Sequence, residues 1–121
     1  MALRSDKGRR LSKSTSMPEI VQWQDHRRVF VNTLNELAIG NSKIVIIVPD
    51  VGFNYLDNPT NKFRVINTGA MEQFAAVFAC TLALSGWKVF LYSMINFALF
   101  RCGEQIRNGA VFHNAPVVFL G

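Results

Sequence analysis

The chain has 121 residues, half of them hydrophobic, with 13 Lys and Arg against 8 Asp and Glu. That length holds one domain with a genuine core and leaves no room for two. No apolar run is long enough to span a bilayer, no apolar stretch follows the basic start as in a secretory signal, and Cys80 and Cys102 make no disulfide framework or metal spacing.

The charge is uneven. Residues 1–28 carry a net +4 and the rest of the chain a net +1. Residues 1–17, rich in Ser, Lys and Arg, read as a disordered basic tail. No aromatic residues interleave its charges, so neither a nucleic acid nor a membrane is the expected partner, and a cytoplasmic location is expected. Residues 18–121 form the folded domain.

Pro18 and Glu19 are placed to open a first helix, with Phe30, Leu34 and Leu37 at helical spacing as far as Ala38 and Gly40 as its stop. Lys43–Val48 is a continuous β-branched run, the pattern of a strand covered on both faces. Pro49-Asp50-Val51-Gly52 breaks it, and residues 53–61 form a polar loop. Phe63–Asn67 is a second strand. Met71–Ser85 is an apolar helix closed by Gly86. Trp87–Tyr92 is a third strand. Asn96–Asn108 is a mixed helix with Phe97, Phe100 and Ile106 as buried positions, and Pro116–Leu120 is a fourth strand.

Strands that alternate with helices predict an α/β fold: a mainly parallel sheet in a three-layer α/β/α arrangement. Ligands of such sheets gather at the carboxyl ends of the strands. Asp50, the Thr68–Glu72 turn and the Ser93–Phe97 turn all follow strand ends, so the topology puts them on one edge. There is no phosphate-cradling glycine loop and no nucleophile elbow. His26 and His113 are isolated and read as no metal ligands.

Glu72 is the residue on which the functional reading turns. It is a single carboxylate at the head of an apolar helix, beside Ala70, Met71, Phe74 and Ala75. One reading is a helix-start acid that complements the helix dipole. The other is a buried acid with no evident Lys or Arg partner, suited to sharing a proton with a ligand nitrogen, although Arg64 could still pair with it through space. Arg101 and Arg107 read as solvated. Phe97 and Phe100 are either core or an apolar wall for a planar ring, and Asp50 is either a turn residue or a polar contact at the ligand edge.

The run Phe63-Arg64-Val65-Ile66-Asn67-Thr68-Gly69-Ala70-Met71-Glu72-Gln73 resembles the pyrimidine-binding domain of the transketolase family, with its Arg-Phe-Ile-Asn-x-Gly-Ile-x-Glu-Gln/His segment. The likeness extends from about residue 25 to 121. It includes Ala79–Gly86 and the run Arg101-Cys102-Gly103-Glu104-Gln105-Ile106-Arg107, similar to Arg-Ala-Tyr-Asp-Gln-Ile-Arg. The resemblance implies a thiamine-diphosphate-binding fold whose domain holds the cofactor's aminopyrimidine. Glu72 matches the acid that bonds the ring nitrogen and favours the imino tautomer, which removes the thiazolium C2 proton. Phe97 matches the aromatic ring wall, Phe100 a neighbouring aromatic, Met94 a position often aromatic, and Asp50 an Asp after the first strand.

The family's Mg²⁺ and diphosphate ligands, its loop with a catalytic His and its third domain have no match in these residues. The expectation is therefore a partial domain, incomplete at the C-terminal end. It would be inactive alone and work with a diphosphate-binding subunit or a second copy, moving a two-carbon ketol unit between sugar phosphates. A β-subunit-like part of a 2-oxo-acid dehydrogenase, which shares Asp50-Val51-Gly52, and a non-catalytic interaction domain are the alternatives.

Overall fold

The computed structural model describes residues 25–121. The basic tail and the Pro18–Glu19 helix start lie outside the described residues. The described chain runs α1 (His26–Ala38), β1 (Ile44–Val48), β2 (Arg64–Asn67), α2 (Glu72–Leu84), β3 (Lys88–Tyr92), a π-helical turn Asn96–Phe100, a short α3 (Gly103–Gln105), a second π-helical turn Ile106–Val111 and β4 (Val117–Leu120). All four strands are parallel, in the order β2-β1-β3-β4. The α/β fold with a parallel sheet is thus as the alternating pattern predicts.

β1 is buried along its whole length, which explains why it is purely Ile and Val. Alternate residues of a strand point to opposite faces. Val45 and Ile47 join Val89, Leu91 and the Ala75, Ala76, Ala79 and Ala83 surface of α2 in one apolar cluster. Ile44, Ile46 and Val48 join Val31, Leu34 and Ala38 of α1 in the other. A helix therefore covers each face of the sheet. The alanines let α2 approach closely as it crosses over β1 between β2 and β3.

The buried stripe of α1 is Val31, Leu34 and Ala38, whereas Leu37 is exposed; the helix turns slightly away from the face its larger residues suggest. Asp25 caps its start, accepting a bond from the Arg27 backbone N–H. The same carboxylate accepts from the Tyr55 hydroxyl and the Arg27 guanidinium, and these bonds, Tyr55 first, hold its pKa at about 2. They clasp the 53–61 loop to α1. Asn61 adds to the clasp, donating to the Tyr55 and Leu56 carbonyls and accepting from Asn35.

A carboxylate depressed in the folded state stabilises the fold above its unfolded pKa, and that contribution fades as pH falls toward the folded value. Asp25→Ala is thus expected to unfold at lower urea than the parent at pH 7, with the gap narrowing from about pH 4 toward about pH 2. A gap independent of pH would contradict the clasp.

The C-terminal helical segment departs from regular α-geometry. Arg101 N–H bonds the Asn96 carbonyl and Phe112 N–H the Arg107 carbonyl, both i→i+5. The wider turns shift the helical phase, so Ala98 and Cys102 are buried while Phe100 is 79% exposed. Phe97 and Ile106 are only partly covered. The segment packs tightly on α2: a Cβ at Gly109 would lie 2.9 Å from Cys80 Sγ. Gly109→Ala is expected to cost about 1–3 kcal/mol by overpacking. Adding Cys80→Ala should recover part of that in urea unfolding; no recovery would place the strain elsewhere.

Candidate functional site at the carboxyl edge of the sheet

Because every strand is parallel, Asp50, Gly69, Ser93 and Gly121 follow the same edge of the sheet. At the end of β2, Thr68 N–H continues the ladder to the Val48 carbonyl at 3.0 Å. Gly69 then takes a left-handed φ of 68°, which a side chain would strain, and its carbonyl accepts from Met71 N–H at 2.7 Å. Asn67 ties two loops together. Its Oδ1 accepts from Asp50 N–H at 3.0 Å and from Gly69 N–H at 2.9 Å. Asp50 sits at φ 57° with its side chain exposed.

The tight turn delivers Glu72 as the first residue of α2, where the helix has no side-chain cap. The helix-start reading is met: the carboxylate stands in the first turn, toward the positive end of the dipole. It is also buried, with its side chain 8% exposed. Its neutralising cation is Arg101, whose guanidinium donates to Glu72 Oε1 at 3.0 Å. This corrects the expectation of a carboxylate without a cation; Arg101 is solvent-exposed, as expected, but its guanidinium reaches back to Glu72. Arg64 goes elsewhere, its guanidinium lying 5.1 Å from the Trp87 ring centroid.

Arg101 also lies over Phe97, 4.2 Å from the ring centroid. The two are four residues apart, so a helical turn puts them on one face. Gln73 Nε2 donates to the Arg101 carbonyl at 3.3 Å, tying this segment to α2. Beneath them, Cys102 Sγ donates to the Phe97 carbonyl at 3.1 Å. Burial, and next the nearby charge of Glu72, push the Cys102 thiol up, which keeps it a proton donor. Cys80 is likewise buried and raised by desolvation.

Ala70, Met71, Glu72, Gln73, Phe74 and Arg101 line an open cleft of about 390 Å³. Asp50 and Met94 stand on neighbouring strand ends without lining it, and Met94 is 61% exposed. Phe100 points away rather than forming a buried wall, because the π-helical turn carries it outward. A larger groove of about 470 Å³ runs between α2 and the 104–113 segment, along Val77, Cys80, Thr81 and Leu84. It contains no buried charge, so the chemistry is assigned to the cleft at Glu72. Among the described residues no group of His, Cys, Asp and Glu is arranged to hold a metal ion, and no helix is long and apolar enough to cross a membrane.

The sequence reading missed two residues here. Asn67 had a signal: an Asn at a strand end before Thr-Gly is a common side-chain-to-backbone turn. Arg101 also had one. Between Gly69 and Glu104 the only cations are Lys88 and Arg101, and Lys88 begins a strand, at the opposite edge of the sheet.

No family model matches the chain, and no curated protein matches it significantly.

Proposed function

We propose that the chain is the pyrimidine-binding part of a thiamine-diphosphate-dependent, transketolase-like enzyme. The observation that carries this reading is a buried carboxylate at the carboxyl edge of a parallel sheet, engaged with a planar N–H group that itself lies over the Phe97 ring. A carboxylate shielded from water bonds a ring nitrogen strongly, and Phe97 gives the ring an apolar face. The residues present therefore fit an aminopyrimidine. Asp50 and Met94 follow neighbouring strands at the same edge of the sheet and are the further residues proposed to contact the cofactor. Exposed Met94 and Phe100 are suited to contact with a second chain.

In this reading Glu72 is the catalytic residue: it holds or moves the proton at the ring nitrogen and sets the tautomer. When bound, the cofactor supplies the nucleophilic carbon that accepts a two-carbon ketol unit from a sugar phosphate. The Mg²⁺ and diphosphate ligands come from a partner domain, a separate subunit or a second copy, and the location is cytoplasmic. A 2-oxo-acid dehydrogenase β-subunit would use Glu72 in the same way with a different partner.

Titration of the full chain with thiamine diphosphate and Mg²⁺, alone and with a transketolase-type diphosphate-binding chain, tests the assignment. Binding that requires or is strengthened by the partner is expected. Absence of binding in both states would contradict it.

A further inference from the structure

The contacts around Glu72 have the form of a site already filled from within. A guanidinium is flat and carries N–H donors. Arg101 sets one donor 3.0 Å from Glu72 Oε1 and its central carbon 4.2 Å from the Phe97 ring centroid. A planar heterocycle held between a carboxylate and an aromatic ring makes the same two contacts. We propose that Arg101 is an internal competitor for this slot, capping Glu72 and covering Phe97 until a planar, N–H-bearing heterocycle displaces it. This inference rests on the aminopyrimidine reading of Glu72 and adds a gate to it.

The surroundings suit such an exchange. The backbone of Arg101 is held on both sides, its N–H bonding Asn96 O at 3.0 Å and its carbonyl accepting from Gln73 at 3.3 Å. Movement therefore falls on the side chain, which is 49% exposed and has an open way into solvent. Glu72 is the opposite case. It is 8% exposed, and Arg101 is its only hydrogen-bond donor among the described residues. A buried carboxylate stripped of its donor is costly, so Arg101 leaves readily only when another donor arrives. Cap and ligand exclude each other, and the apparent affinity falls by the fraction of chains in which the slot is open. The pairing is also selective: an apolar ring cannot replace the lost donor, and a non-planar ammonium cannot cover Phe97 as a flat group does.

The test is an NMR shift titration of the full chain with two probes, 4-amino-2-methylpyrimidine and methylguanidinium. Wild type, Arg101→Ala, Arg101→Lys and the double variant Glu72→Gln/Arg101→Ala are compared. Arg101→Ala should take up methylguanidinium, which wild type does not, and should bind the pyrimidine at least tenfold more tightly than wild type. The double variant should bind neither. Arg101→Lys keeps the charge but not the flat fork, so it should fall between wild type and Arg101→Ala, and it serves in place of Arg101→Ala if that variant does not fold. Pyrimidine binding that is equal in wild type and Arg101→Ala, or weaker in the variant, overturns the competition and leaves the pyrimidine reading standing. Uptake of methylguanidinium with no pyrimidine binding by any chain overturns both.

Discussion

Leu91→Ala is expected to lower the unfolding free energy by about 3 kcal/mol, within the range for removing a fully buried Leu from a core. Leu91 is 0% exposed, on the strand that pairs with both β1 and β4, and packs in the cluster beneath α2. The neighbouring strands fix the backbone around it, so the space left by the side chain cannot easily close. Urea unfolding should show the shift as a lower midpoint with an unchanged slope. The control is Val118→Ala on the edge strand β4, where the side chain is 47% exposed and the loss should be well below that of Leu91. Equal losses at the two sites would mean that the core is not centred where the sheet order places it.

The second large effect belongs to Glu72. In an assembly competent to bind thiamine diphosphate, Glu72→Gln should slow exchange of the cofactor's C2 proton by roughly a hundredfold or more. The amide keeps the size of the side chain but cannot carry the negative charge that stabilises a shared proton at the ring nitrogen. Deuterium uptake followed by NMR measures the rate. Assembly with the diphosphate-binding partner should be unaffected, since the substitution changes charge and not shape. Exchange at the parent rate would remove Glu72 from the proton-transfer role.

The sheet was legible in the sequence because its strands are short runs rich in β-branched or aromatic residues, bounded by turn residues, and because β1 carries no polar residue at all. α2 was legible for a similar reason: a mostly apolar run of helical length, closed by Gly86 at φ 86°. The C-terminal helical segment was only half legible. Its residue types promise a helix, but the i→i+5 turns move the phase, and so Phe100 faces outward while small Ala98 and Cys102 are buried. Local spacing carries no information about such a shift.

The same limit applied to the site. Its carbon framework could be placed from strand ends, since a parallel sheet must gather them on one edge. The ion pair could not, because Arg101 lies 29 positions from Glu72 and meets it only through the packing of the C-terminal segment on α2. The functional weight of Glu72 therefore rests on two facts together: its burial at a helix start, visible as a pattern, and its flat cationic partner over Phe97, visible only in three dimensions.

The most direct test of the central claim is where the pyrimidine ring sits. With Phe97 selectively labelled and the cofactor bound in the presence of a diphosphate-binding partner, nuclear Overhauser effects should join the pyrimidine methyl group to the Phe97 ring protons. They should disappear in Glu72→Gln. Cofactor bound at saturation without any such contact to Phe97 would contradict the assignment of the Arg101 position, between Glu72 and Phe97, as the pyrimidine site.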